Sequence, residues 1–213
     1  MAIVQNPITG RTKKKFGTAV FSKQFGSNTM RSKPVDVKNP NTPGQKAQRS
    51  KFALMIDTAR SVLELIKVSF QGEAVGMSAF NAFISYNIKN AVTGTPGNAT
   101  IDFSKLLIAK GSLLKCPEII GSSASAHTVT RIWDPPIDPE SISSDELLST
   151  VTFNVDRKLW LIENSCALRS LGTYTQTLPV SWSNDEVHVY SFFVSPDGRK
   201  NSDSIYGGLI TVL

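Results

Sequence analysis

Near residue 93 the hydrophobic period of the chain changes, and that change limits what it can fold into. Before it, "GQKAQRSKFALMIDTARSVLELIKVSF" (44–70) contains no proline, and Phe52, Met55/Ile56, Ala59, Leu63, Ile66 and Phe70 recur at threes and fours. That spacing places apolar groups along one face of a helix. After it come short β-type runs: "KLLIAKGSLL", "HTVTRIWD", "LLSTVTFNV", "KLWLIEN", "YTQTLPVSW", "EVHVYSFFVS" and "YGGLITVL". Turn-forming stretches such as "DPPIDPESISSD", "VDR", "SND" and "SPDGRKNSDS" separate them. About seven strands punctuated in this way predict an antiparallel β-sandwich. In "EVHVY", Val187 and Val189 alternate with Glu186, His188 and Tyr190, which puts His188 in the polar phase. No βαβα alternation is present, which argues against a Rossmann or barrel enzyme. The fold class is therefore α+β.

The helical segment has a definite start. Thr42 stands at the N-cap, Pro43 at the first helical position and Gln45 at the third, the pattern of a capping box. One helix is expected over 43–70, with its apolar face beginning at Phe52 and closed by Gln71-Gly72. Ser78 caps a second, "AFNAFISYNIKNAV", whose inner stripe is Phe80, Phe83/Ile84 and Asn87/Ile88. Asn87 interrupts that stripe, and Asn81 and Asn90 lie nearby; such amides can bond to loop carbonyls. Together the two helices form an αα-hairpin. Upstream, residues 19–21 and 29–31 flank "KQFGSN" as a β-hairpin, with Phe16, Val20, Phe21 and Phe25 available to pack it. Residues 34–43 are expected to be extended, because residues before proline avoid the α region. Three segments result: a basic hairpin and extended strap over 1–42, a two-helix segment over 43–93, and a β-sandwich over 94–213. The turn-rich "TGTPGNATIDFSK" (93–105) links the last two.

Charge is unevenly spread along the chain. Residues 1–50 carry ten basic groups and one acidic, whereas 111–213 carry seven and twelve, within a net charge of +6. The basic front can meet a neighbouring subunit's acidic surface or a nucleic acid. Arg11, Lys13, Lys14, Lys15, Lys23, Arg31, Lys33, Lys38 and Arg49 are the candidate interface or phosphate-contacting residues. No zinc finger, helix-turn-helix or RNA-binding sheet motif accompanies them. A homo-oligomer or other assembly is the expected partner, with nucleic acid as the alternative.

Catalytic patterns are absent from the sequence. Ser125, His127 and Asp134 could be drawn as a triad, but no nucleophile elbow supports it. Asp134, Asp138, Glu140, Asp145 and Glu146 read as a solvated, proline-stiffened loop without the ladder of a calcium site. Cys116 and Cys166 have no metal spacing and read as free thiols. No phosphate-binding loop or dinucleotide fingerprint occurs. The chain is expected to be non-enzymatic, with no catalytic, cofactor-binding or metal-binding residues and no small-molecule substrate. Trp133, Trp160 and Trp182 fall in or beside strands and read as core aromatics. A tryptophan exposed on a concave face would instead point to a binding module. With no run of 18 apolar residues and no signal-type N-terminus, the expectation is no membrane partner and a place in the cytoplasm or an assembled particle.

Two stretches together carry a resemblance. They are "KKKFGTAVFSKQFGSNTMRSKPVDVKNPNTPGQKAQRSKF" (13–52) and "MSAFNAFISYNIKNAVTGTPGNATIDFSKLLIAKGSL" (77–113). The first holds G-x-x-V/A-F, R-x-K-P and N-P-x-T-P-x-Q-x-x-Q-R. The second holds Phe80-Asn81, Asn87, Lys89-Asn90-Ala91 and residues 101–105 as I-D-x-S-K. The chain resembles a family of uncharacterised proteins of about 200 residues from Bacteroidota. That resemblance implies a bacterial or bacteriophage source, suits a virion or particle component, and transfers no catalytic residue.

Overall fold

The computed structural model describes residues 14–24, 27–36, 39–95, 98–135 and 145–213. Two compact units divide the chain, Met1–Thr42 and Pro43–Leu213.

The first unit holds three short strands, β1 (Lys14–Phe16), β2 (Ala19–Gln24) and β3 (Ser27–Ser32), in an antiparallel sheet of order β1-β2-β3. The expected hairpin is β2–β3, and β1 adds a third strand from within the basic cluster. Gly17 makes that addition possible: its φ of +57° opens the turn between β1 and β2, a conformation that glycine adopts without steric cost. Three residues give no readable period, which is why β1 escapes notice in the sequence.

The second unit opens with α1 (Pro43–Ser61), α2 (Leu63–Ser69) and α3 (Ala79–Asn90). α1 starts at Pro43, as its signal predicts. The single helix expected over 43–70 is broken at Val62, whose φ and ψ are −119° and 27°. Just before the break, Thr58 Oγ1 bonds to the Leu54 carbonyl and Ser61 Oγ to that of Thr58. Hydroxyls that compete for main-chain carbonyls in this way loosen and bend a helix. The apolar stripe survives the break: Met55, Ala59, Val62, Ile66 and Phe70 are all buried. Three helices thus replace the αα-hairpin. Ser78 caps α3 as expected, accepting from the Asn81 N–H at 3.2 Å.

A hairpin of β4 (Val92–Thr95) and β5 (Asn98–Ile101) follows, within the stretch read as a connector. Then come two antiparallel sheets. One contains β8 (Leu147–Asn154), β9 (Leu159–Leu168), β11 (Glu186–Val194) and β12 (Ile205–Thr211), in the order β12-β11-β8-β9. The other contains β6 (Ile120–Ser122), β7 (Thr128–Ile132) and β10 (Thr173–Thr177), in the order β10-β7-β6. These are the seven strands of the expected sandwich, with one exchange. "KLLIAKGSLL" forms no strand, and β6 takes its place. Gly121 of β6 and Gly207 of β12 let the two sheets approach there, since a Cβ on Gly207 would lie 3.2 Å from the Ile119 carbonyl.

The four-stranded sheet is covered on both faces. Val151, Tyr190, Phe192 and Val194 point to the helices and join Met55, Ile66, Phe70 and Phe83 in one cluster. Leu148, Val187, Val189 and Phe193 point to the three-stranded sheet and meet Val129 and Trp133. Hence β8 is buried at nearly every position, and "LLSTVTFN" shows no alternation.

Residues 105–114 are extended but bond to side chains and loops instead of to a strand. Asn87 accepts the Leu107 N–H at 2.9 Å and donates to the Leu107 carbonyl at 2.9 Å, so the amide in the apolar stripe of α3 substitutes for a strand partner. Ser204 Oγ accepts the Ile108 N–H, Asp203 that of Gly111, and the Asn201 carbonyl that of Leu113. Replacing Asn87 by leucine removes the partner of both Leu107 groups. We expect a loss of about 2 kcal/mol in urea unfolding, and a change under about 0.5 kcal/mol would contradict this role.

Candidate interaction surfaces

Among the described residues of the first unit none is buried; Met30 is 70% exposed, and the earliest fully buried side chain among the described residues is Met55. Register assigns the faces. Lys15, Val20 and Arg31 form one cross-strand row, and Lys14, Phe21 and Met30 form the next, on the opposite face. Ser22 and Thr29 hydroxyls meet at 2.6 Å on the Val20 face. Each face therefore carries an apolar centre flanked by cations. Lys14, Lys15, Lys23, Arg31 and Lys33 are exposed, and no ion pair engages them among the described residues.

Of the nine candidate contact residues, those five share this one sheet and its outgoing strand. Arg11, Lys13 and Lys38 lie outside the described residues, as does Phe25. Arg49 belongs to the second unit, on the exposed side of α1.

The first turns of α1 form a second surface. Phe52 was expected to begin the buried face, yet it is 46% exposed, and burial starts one turn later at Met55. Phe52 lines an open groove of about 750 Å³ with Gln48, Lys51, Ile84, Ile88 and Lys89. Periodicity could not separate a buried position from one at the end of the same stripe.

A third feature lies between α1 and the four-stranded sheet. The Phe103 ring stacks over both Phe153 and His188, at 4.8 and 4.6 Å, these two being side by side at 6.4 Å, and Trp160 packs on Phe153 at 4.4 Å. His188 Nδ1 and the Tyr206 hydroxyl are 2.8 Å apart, and the Tyr190 hydroxyl donates to the Phe103 carbonyl at 2.7 Å. His188 thus sits in a second covered layer; its polar phase in the sequence marks the helix-facing side. Burial pushes its imidazole below the ordinary value of 6.5, while Asp102 pulls weakly the other way. Trp133 and Trp182 are buried, as expected of core aromatics. Trp160 is half-buried and lines a groove of about 500 Å³ with Leu54, Asp57, Thr58, Phe153 and Lys158.

The residues singled out for chemistry are dispersed. His127 Nδ1 lies 3.0 Å from Ser183 Oγ, not against Ser125, and its N–H donates to the Leu213 carbonyl. Asp134 lies past the other end of β7, about 20 Å away at the rise of an extended strand. Asp138 and Glu140 are outside the described residues, and Asp134 and Asp145 are exposed. Glu146 departs from the solvated reading: it is buried and pairs with Arg169 at 2.5 Å. That guanidinium also bonds to the Leu114 carbonyl and lies 4.5 Å from the centre of the Phe193 ring. Nothing in local sequence links Glu146 to Arg169 across 23 residues. Cys116 and Cys166 are free, and burial raises both thiols. Among the described residues, no group of three or more His, Cys, Asp or Glu is placed to hold a metal ion. No described helix is long and apolar enough to cross a membrane.

Two-faced sheets, a helical cover and exposed mixed surfaces define a β-sandwich-rich protein with surfaces suited to protein–protein contact. The chain belongs to the family of unknown function DUF6266, which it matches over residues 11–208. No curated protein matches it.

Two outcomes follow from these contacts. His188 stays neutral in the fold at pH values where the unfolded chain takes up a proton. Its contribution is complete above pH 6.5 and is lost as pH falls below that value, by at most about 1.4 kcal/mol per pH unit. Comparing His188→Phe with the parent between pH 7 and 5 in chemical unfolding should show a shallower decline in the variant; parallel curves would contradict it. For Glu146→Gln, the buried Arg169 loses its counter-charge, and a loss of about 3 kcal/mol is expected in the same assay. A loss below about 1 kcal/mol would show that the pair is dispensable.

Proposed function

We propose that this protein is a non-enzymatic structural or assembly component that makes protein–protein contacts through its N-terminal sheet and strap and through its sandwich. A multi-subunit particle such as a phage virion is the setting that suits it. One observation carries this reading: 14–32 holds three paired strands, and none of the described side chains in them is buried. A sheet of this size gains its stability by covering a face, and among the described residues of its own unit nothing covers either face. Residues 1–42 carry eight basic groups and one acidic, against fifteen and sixteen in the rest of the chain. Contact between a basic front and another copy's remainder is heterologous and propagates into rings or filaments.

The cross-strand row Lys15–Val20–Arg31 supports a second reading, a nucleic-acid-binding accessory protein, because two cations on one face beside an apolar side chain suit a phosphate backbone. Sedimentation and light scattering separate the two. The full chain should self-associate at low salt, and removal of residues 1–42, which leaves every buried side chain among the described residues in place, should yield a monomer. A monomer at all concentrations and salts would sink the assembly reading. DNA or RNA affinity falling steeply with salt would support the second, and no binding at low salt would remove it.

A further inference from the structure

Between the two sheets lies a polar cluster that none of the surfaces above uses. Arg131 on β7 is fully buried, and its neighbours on the same face, Val129 and Trp133, belong to the inter-sheet core. Its Nη2 donates to Thr152 Oγ1 at 2.7 Å and to Gln176 Oε1 at 2.9 Å, and the Thr152 hydroxyl also donates to Gln176 Oε1 at 2.7 Å. That one amide oxygen thus receives two donors. Among the described residues no carboxylate is hydrogen-bonded to Arg131. Glu163 acts on it only through space, its Oε2 being taken by the Tyr174 hydroxyl at 2.9 Å. Burial draws the guanidinium down to about 10, still charged at neutral pH.

Several buried groups able to donate are left over. Arg131 Nε and Nη1, Gln176 Nε2, Thr150 Oγ1 and Ser191 Oγ are buried and make no hydrogen bond among the described residues, save for the weak Cys166 thiol beside Thr150. The three nitrogens can only donate, and the two hydroxyls can donate. Ser191 and Thr150 are directly paired across β11 and β8, on the same inner face as Thr152. Thr152 is two residues along, or about 7 Å, a span that a single atom accepting from both Arg131 and the free hydroxyls can bridge. Unpaired buried donors are costly and call for an acceptor, and one that carries negative charge would also offset the burial of the guanidinium beyond what Glu163 supplies through space.

We propose that a small anion of halide size binds between the sheets, held by Arg131 with Thr150, Ser191 and Gln176. The site is a structural one, coupling the two halves of the sandwich, and it does not depend on the assembly reading.

The test uses the full chain. Thermal unfolding is compared in sodium chloride or bromide and in sodium gluconate at equal ionic strength. Crystals grown in bromide are searched for anomalous signal. At halide concentrations about tenfold above the dissociation constant, a Tm rise of roughly 4 °C over gluconate is expected. A bromide peak should lie beside Arg131. Thr150→Val and Ser191→Ala keep the volume while removing a hydroxyl. Both should fold, by circular dichroism, and lose most of the halide-dependent rise. Equal Tm values in the two salts with no bromide peak would overturn the proposal, and would assign these donors to water. A rise that persists unchanged in both variants would likewise overturn it.

Discussion

Two-sided burial of β8 and β11 is the constraint on which the second unit rests. Helices cover one face of these strands and the three-stranded sheet covers the other, so β11 contributes to all three hydrophobic clusters and β8 to two of them. Side chains at successive positions enter different cores, and a one-residue slip would exchange them. The polar residues on the inner face, Thr150, Thr152 and Ser191, are thereby fixed opposite Arg131 and Gln176. The same geometry carries Tyr190 and His188 into the aromatic layer under the helices.

Loops close this arrangement through side-chain bonds in place of a ladder. Asn87 completes the main chain of Leu107, and Ser204, Asp203 and Asn201 do the same from Ile108 to Leu113. At the other end the Arg169–Glu146 pair joins three chain segments beside Phe193. Each of these buried hydrogen bonds removes a choice of alternative loop path.

How much of this can be read in the sequence depends on whether the deciding contact is local. The start of α1 at Pro43, the Ser78 cap and six of the seven sandwich strands are legible because capping chemistry and short-range period determine them. The break at Val62 depends on hydroxyl bonds within one turn that stripe-counting ignores. "KLLIAKGSLL" has strand composition, yet its partners are the side chains at 87, 203 and 204 and the main-chain carbonyl at 201, which no period reveals. His188 looked polar because alternation identifies two faces without saying that both are covered. Arg131 and Arg169 carry no local signal: each is defined by residues 21 or more positions away and was one arginine among many. The basic residues near the N-terminus were legible as a group, and five of them lie on one exposed sheet and its outgoing strand.

That sheet differs from the rest of the molecule in having paired strands without burial. Hydrogen exchange followed residue by residue at low and high protein concentration tests the contrast most directly. The account predicts that amides of β8 and β11 exchange only with global unfolding at either concentration. Amides of β1 to β3 should exchange rapidly when the protein is dilute and become protected when it is concentrated. Protection of β1 to β3 equal to that of β8 in dilute solution would contradict it.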